Sequence, residues 1–207
     1  MKEIWNESCI LSPSLICLDM CNLEREVKTL EKAGIKMLHV DILDGHFSPS
    51  MPLGLDTVRQ LRAKTDMFFD CHVMVTEQDY FVDELLDIGV DQIVFHGETQ
   101  PHIDGMLNRI HAKGVKAGVA LKPATLLSEL EYVLDKCDTV LLMLINPGYA
   151  FVKGEKQVTY ADRKIRELRK MITDRGLKTK IEVDGRISPD NIRTYGKSDV
   201  DIFVTGS

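Results

Sequence analysis

Short apolar runs alternate with amphipathic stretches along almost the whole chain. The apolar runs have the length and composition of buried strands, and the amphipathic stretches have the period of helices packed on one face. Eight strands are predicted, near residues 9–15, 37–40, 67–73, 92–96, 116–121, 139–145, 180–183 and 201–205. Seven helices are predicted, one between Asn22 and Gly34 and the others near residues 55–63, 78–88, 103–113, 126–134, 160–173 and 190–195.

The alternation of strands with helices indicates a parallel sheet covered by helices. Eight such units favour a single domain over residues 1–207, folded as a (β/α)8 (TIM) barrel. An open doubly wound sheet is the alternative, but no G-x-G-x-x-G loop of a dinucleotide fold follows the first strand. The sequence ends at Gly206-Ser207, where an eighth helix is expected to begin. Either the barrel closes without that helix, or the natural chain continues.

Composition narrows the class of protein. A content of 44% hydrophobic and 28% charged residues is ordinary for a soluble globular protein. The net charge of -6 argues against nucleic acid as a partner, and no apolar run is long enough for a membrane span. The N-terminus lacks the apolar core of a signal peptide. Five cysteines, an odd number without a C-x-x-C pair, indicate a cytoplasmic protein.

Polar residues at the predicted strand ends carry the candidate chemistry, because the active sites of such barrels lie at the carboxyl ends of the strands. His39 and Asp41 are two residues apart on one strand, so their side chains project to the same side. His72 lies near the end of the third strand, and Asp184 follows the seventh. Two imidazoles and two carboxylates that converge in this way could share a divalent zinc, iron or manganese ion. The alternative is a set of buried polar side chains that satisfy one another.

The loops that follow the last three predicted strands each contain glycine shortly after the strand ends. Gly148 follows the sixth strand, Gly185 the seventh, and Gly206-Ser207 the eighth. Loops at these places often bind phosphate through backbone N–H groups, although ordinary turn chemistry would also place glycine there. Met74 and Met143 could line the carboxyl end of the predicted barrel or belong to its core.

Six segments resemble the ribulose-phosphate 3-epimerases, in the same order over nearly the whole chain. They begin at Ser12 (SPSL), His39 (HVDILDGHF), Cys71 (CHVMV), Asn146 (NPGY), Val183 (VDG) and Val204 (VTGS). The resemblance implies a (β/α)8 barrel, one divalent metal ion and inversion at carbon 3 of a ketose phosphate. Zinc is the expected ion, with iron, manganese or cobalt as alternatives, and no organic cofactor is required. The resemblance also implies a homo-oligomer.

The same resemblance implies roles for individual residues. His39, Asp41, His72 and Asp184 match the metal ligands, and Asp41 and Asp184 also match the catalytic acid and base. A metal ion would stabilise a cis-enediolate formed when one Asp removes the carbon 3 proton, and the other Asp would return a proton to the opposite face. We expect substrate contacts from Ser14, His72, Met74, Met143, Gly148, Gly185, Arg186, Gly206 and Ser207.

The sequence departs from the family where phosphate is expected to bind. The loop from Gly148 reads GYAFVKG instead of starting Gly-Phe-Gly-Gly-Gln, and Arg186 stands at the usual second glycine of Val-Asp-Gly-Gly. Arg186 or Lys153 could supply charge instead. Leu43 replaces the usual methionine.

Three alternatives to a D-ribulose 5-phosphate and D-xylulose 5-phosphate epimerase therefore stay open. Residues 15–19, 70–72 and 182–185 look similar to the branch that interconverts D-allulose 6-phosphate and fructose 6-phosphate. A non-catalytic metal-binding barrel is a second alternative. A metal-free phosphate-binding isomerase is the third, and it would leave the convergent His and Asp residues unexplained.

Overall fold

The computed structural model describes residues 3–149, 152–197 and 199–206. In these ranges eight strands run parallel in one sheet, in the order β1-β8-β7-β6-β5-β4-β3-β2. From β1 to β8 they are Ile10–Pro13, Met37–Leu43, Phe68–Met74, Gln92–His96, Lys116–Leu121, Thr139–Met143, Lys180–Asp184 and Ile202–Thr205. Each strand therefore lies beside its neighbours in sequence, and the prediction of a (β/α)8 barrel is confirmed.

β1 closes the barrel, because it contacts β8 on one side and β2 on the other. β1 pairs with β8 over four residues, from Ile10 opposite Ile202 to Pro13 opposite Thr205. Directly after β1, a single parallel bridge joins Ser14 to His39 of β2. This bridge completes the ring and brings the end of β1 against the middle of β2.

Six α-helices in the described part of the chain cover the outside of the sheet. From α1 to α6 they are Leu23–Lys32, Leu55–Arg62, Gln78–Ile88, Ile103–His111, Ala161–Asp174 and Pro189–Tyr195. The longest, α5, buries Ile165, Leu168 and Ile172, which recur at helical spacing on its inner face. None of the described helices has the length and apolar character needed to cross a membrane.

The prediction of a helix near residues 126–134 was wrong. The segment forms two short 3-10 turns, Leu127–Leu130 and Leu134–Lys136. The buried residues Val133 and Leu134 lie three and four positions after Leu130, a spacing that also suits an α-helix. Apolar spacing alone therefore did not distinguish the two conformations.

Several strands end at residues other than those predicted. β2 continues to Leu43, because all seven of its residues are buried, including the polar His39 and Asp41. β6 ends two residues earlier than predicted, at Met143. β2 thus extends three residues beyond the predicted range, through Asp41, Ile42 and Leu43.

The amino end of the barrel is closed by apolar packing. The N-terminal 3-10 turn Glu3–Asn6 places Trp5 on Phe68, with ring centroids 5.9 Å apart. Lys116 Nζ lies 4.1 Å from the Trp5 ring centroid. The N-terminal segment therefore covers the ends at which β3 and β5 begin.

Candidate active site

The strand register brings the polar residues of β2, β3 and β7 to one level of the barrel. Asp41 lies opposite His72 on β3, and Asp184 lies opposite Met143 on β6. One level below, His39 lies opposite Asp70. Side chains two residues apart on a strand share a face, so these positions point together into the barrel.

The four predicted ligands lie within contact of one another. His39 Nε2 is 3.3 Å from Asp41 Oδ1, and His72 Nδ1 is 3.5 Å from the same oxygen. His72 Nδ1 is also 3.8 Å from Asp184 Oδ2. One ligand atom from each side chain lies within 4.8 Å of all the others.

This arrangement fits a divalent ion. Ligand atoms bonded at about 2.1 Å to a tetrahedral ion lie about 3.4 Å apart, close to the distances found here. His39 Nε2 and His72 Nδ1 are buried, and neither has a hydrogen-bond partner. Buried polar atoms are normally satisfied, so these two nitrogens have the positions and lone pairs expected of metal ligands.

The other ring nitrogen of His39 is held by carboxyl groups. His39 Nδ1 lies 2.9 Å from Asp70 Oδ2 and 3.2 Å from Glu182 Oε1. Asp70 also accepts a 2.7 Å hydrogen bond from Gln92 Nε2. A proton on Nδ1 satisfies this contact and leaves Nε2 free to bind a cation.

Sequence reasoning missed the roles of Asp70 and Glu182. Each lies two residues before a predicted ligand, Asp70 before His72 and Glu182 before Asp184. The same alternation rule that pairs His39 with Asp41 would have placed both carboxyls on the inner face.

The two carboxyl groups proposed for proton transfer have opposite electrostatic surroundings. Burial raises the pKa of Asp41, but the adjacent His39 and His72 outweigh it and hold that pKa well below its usual range. Burial and the nearby charge of Asp41 raise the pKa of Asp184. The surroundings thus shift the pKa values of these two carboxyl groups in opposite directions.

A cavity that is partly open to solvent lies over these carboxyl groups. Its lining includes Asp41 and Asp184 together with six residues predicted to contact substrate: Ser14, Met74, Met143, Gly148, Gly185 and Arg186. The lining also includes Cys17, Ser50 and Thr205, which sequence reasoning did not select. Single Cys, Ser and Thr residues are common in any chain, so only their positions after β1 and β2 and at the end of β8 could have suggested them.

Two other predicted contacts, His72 and Gly206, do not line the cavity. His72 is fully buried. A side chain at Gly206 would approach Cys17 Cβ to 2.9 Å. Ser207 lies outside the described residues.

Ser14 contributes by holding a carboxyl group. Its hydroxyl donates to Asp41 Oδ2 over 2.5 Å, and both residues line the cavity. Because the bridge between Ser14 and His39 closes the barrel, the backbone that completes the ring also positions this hydroxyl.

The loops after β6 and β7 also line the cavity. Gly148 has φ +81°, and a side chain there would overlap Ser48. Gly185 has φ +115°, and a side chain there would lie 2.7 Å from Ile145 Cγ1. Arg186 follows at φ 55°, a left-handed conformation that is uncommon for a residue with a side chain, and its Nη2 donates to Val152 O over 3.2 Å.

Comparison with known proteins identifies the family. Residues 10–207 match the sequence model of the ribulose-phosphate 3 epimerase family. The chloroplastic ribulose-5-phosphate-3-epimerase of Arabidopsis thaliana is 38% identical over 200 residues, which cover 96% of this chain and 70% of that protein. The ribulose-phosphate 3-epimerase of Bacillus subtilis (strain 168) is 35% identical over 198 residues, 95% of this chain and 90% of that protein.

Solved structures agree on the fold. A ligand-bound crystal structure of KGPDC from Streptococcus mutans has a TM-score of 0.69 at 16% identity, over 97% of this chain and 88% of that one. At this identity the likeness shows the fold alone. The family match and the identities of the curated relatives lead to one conclusion: the chain belongs to the ribulose-phosphate 3-epimerase family, whose members are isomerases acting on carbohydrates.

Proposed function

We propose that the protein is a metal-dependent epimerase that interconverts D-ribulose 5-phosphate and D-xylulose 5-phosphate. One observation carries the proposal. Asp41 and Asp184 line one cavity from different strands, beside two buried imidazole nitrogens that have no hydrogen-bond partner. Family membership agrees with this reading of the site.

His39, Asp41, His72 and Asp184 would hold the divalent ion. Their mixed nitrogen and oxygen donors suit zinc, with iron, manganese and cobalt as alternatives. When bound, the ion supplies positive charge that stabilises the negative charge of the enediolate form of the substrate.

Two carboxylates account for inversion. The proton on carbon 3 lies beside the carbon 2 ketone, so its removal gives a planar enediolate that can be protonated on either face. Asp41 and Asp184 approach from β2 and β7, and one removes the proton while the other returns one to the opposite face. A single base would tend to return the proton to the face from which it came. Ser14 keeps the Asp41 carboxyl in position by its hydrogen bond.

The walls of the cavity suit a short polar chain with a phosphate at one end. Met74 and Met143 supply an apolar wall near the carboxyl groups. Gly148 and Gly185, in the loops after β6 and β7, leave backbone at the cavity surface. Arg186 follows Gly185 in the same lining, and a guanidinium can bind phosphate through two parallel hydrogen bonds. We propose that these two loops hold the phosphate, and that Gly206 and Ser207 belong to the same substrate site.

A six-carbon substrate is the second candidate, because Arg186 changes the phosphate end relative to the family pattern. The test is deuterium exchange from solvent at carbon 3, followed by NMR for D-ribulose 5-phosphate and for D-allulose 6-phosphate. Each is measured with zinc added and with zinc removed by a chelator. We expect zinc-dependent exchange and epimerisation of the five-carbon substrate. Exchange of the six-carbon substrate alone would select the second candidate, and no exchange of either with zinc bound would refute both.

We also propose a cytoplasmic location and a homo-oligomeric assembly. The cysteines at positions 9, 17, 21, 71 and 137 are all free thiols, which supports a reducing compartment. The assembly follows from the family resemblance, and sedimentation of the purified protein would test it.

A further inference from the structure

Two side chains at the end of β4, His96 and Glu98, take no part in the proposed proton transfer. His96 is the last residue of β4 and is fully buried, and Glu98 lies in the following 3-10 turn. His96 Nε2 lies 3.0 Å from His72 Nε2, and His96 Nδ1 lies 2.8 Å from Glu98 Oε2. The three side chains form a hydrogen-bonded chain that begins at a candidate metal ligand and leads away from the cavity.

Cation binding by His72 allows only one order of protons along this chain. Nδ1 of His72 faces Asp41 and Asp184, so it is the ring nitrogen that would bind the cation. A nitrogen that binds a cation must present a lone pair, so the ring proton must lie on Nε2. Nε2 of His96 can accept that proton only if the His96 ring carries its own proton on Nδ1. The Nδ1 proton then needs an acceptor, which Glu98 Oε2 provides.

The surroundings of Glu98 require it to act as an acceptor. Its Oε1 accepts hydrogen bonds from the backbone N–H of Lys122 over 2.6 Å and from the hydroxyl of Thr125 over 2.5 Å. With His96 on its other oxygen, the carboxyl group has donors on both sides. A carboxylate satisfies all of them, because both of its oxygens only accept.

Packing holds the middle ring of the chain in place. The Phe47 ring lies against the His96 ring, with centroids 4.6 Å apart. Gln78 Nε2 donates to the backbone oxygen of His96 over 2.8 Å. The position of His96 is therefore set by groups outside the cavity.

We propose that Glu98 and His96 are positioning residues that set the cation affinity of the site, by keeping Nδ1 of His72 unprotonated and directed at the other ligands. The inference rests on the proposed metal site. At His39 a single carboxylate has this role, because Asp70 is hydrogen-bonded directly to its Nδ1. Metal-binding imidazoles commonly donate their second N–H to such a partner, and loss of the partner weakens metal binding by about 10- to 100-fold. At His72 a second imidazole lies between the ligand and the carboxylate.

Glu98→Gln tests the proposal, because it keeps the shape of the side chain and replaces one acceptor by a donor. If the new NH2 group faces His96, the His96 proton must move to Nε2, where it opposes the Nε2 proton of His72. If it faces the other way, it opposes the donors of Lys122 and Thr125. We expect zinc to bind about 10- to 100-fold more weakly, as measured by competition with a chromophoric chelator without substrate.

His96→Gln and the double variant show whether Glu98 acts through His96. We expect Glu98→Gln to weaken zinc binding much less in the His96→Gln background than in the wild-type protein. His111→Gln is the matched control, because His111 is exposed at the end of α4 and lies outside the cavity lining. Like His96, it is hydrogen-bonded to a carboxyl group, that of Asp138, over 2.8 Å. We expect His111→Gln to leave zinc affinity unchanged.

A Glu98→Gln protein with wild-type melting temperature and zinc affinity within threefold of wild type would overturn the proposal. If that variant does not fold, ¹⁵N NMR of the imidazoles in the zinc-loaded wild-type protein decides the matter. The proposal requires a proton on Nε2 of His72 and on Nδ1 of His96, and any other pattern overturns it. A wild-type protein that binds zinc in this way but fails to epimerise either sugar phosphate would refute only the proposed function.

Discussion

Replacing Asp184 by Asn is the most direct test of the two-carboxylate mechanism. The amide has nearly the same shape as the carboxyl group, and its oxygen can still face His72 Nδ1, which lies 3.8 Å from the present Oδ2. What the variant loses is the ability to accept and return a proton. Positioned acid–base groups contribute about 10²- to 10⁴-fold to rate, so we expect kcat to fall by that factor, which corresponds to a rise of about 3–5 kcal/mol in activation free energy.

The assay follows epimerisation of D-ribulose 5-phosphate in deuterated water at saturating zinc, with bound zinc measured separately. Since Asp41 remains, we expect the variant to exchange the carbon 3 proton of only one of the two epimers, without inverting it. The control is Asp190→Asn, which changes an exposed carboxyl of α6 that pairs with Arg193, and it should turn over normally. Near-normal epimerisation by zinc-loaded Asp184→Asn would refute the mechanism.

Three further predictions concern the scaffold and the phosphate end. Gly118→Ala should destabilise the protein by about 1–3 kcal/mol in urea unfolding, since the added Cβ would lie 2.5 Å from the backbone oxygen of Thr139; Gly105→Ala, at an exposed position in α4, should instead stabilise it by about 0.5–1 kcal/mol. Equal effects of the two would contradict this. Burial raises the pKa of Asp44, but four hydrogen bonds from the neighbouring loops hold it well below its usual range, so Asp44→Asn should cost about 1–2 kcal/mol at pH 7. That stabilisation requires the ionised carboxyl, so it is complete above about pH 5 and declines as the pH falls below about 4. A difference in unfolding free energy between wild type and Asp44→Asn that stays constant in acid would contradict it. Arg186→Gly should raise KM for the phosphorylated sugar by about 10- to 100-fold and leave slow exchange of free D-ribulose unchanged, and an equal effect on both sugars would show that Arg186 does not bind phosphate.

The alternation of strands and helices was predictable because burial imposes a local pattern. β5 is apolar and buried from Ala117 to Leu121, and a strand covered on both faces shows such an unbroken apolar run. Where two conformations satisfy the same local spacing, as in the 3-10 turn Leu127–Leu130, sequence reasoning had no means of choosing between them. The choice depends on how the buried side chains fit the neighbouring elements.

The four proposed ligands were visible in the sequence because imidazoles and carboxyls at the ends of apolar strands are chemically conspicuous. Their surroundings were much less visible. Asp70 supports His39 from the next strand, and Glu98 reaches His72 through His96. Such contacts depend on the register between strands and on the directions in which two side chains leave their backbones.

The sequence by itself determined the order of the elements, the face to which each strand residue points and the chemical types collected at the carboxyl end of the barrel. These are consequences of hydrophobic periodicity and strand alternation, which act over a few neighbouring residues. Only the tertiary structure decided that His39 Nε2 and His72 Nδ1 lie side by side without hydrogen-bond partners, and that Ser14 holds Asp41. Those facts depend on the closure of the barrel, because closure brings residues far apart in sequence to within bonding distance of one another.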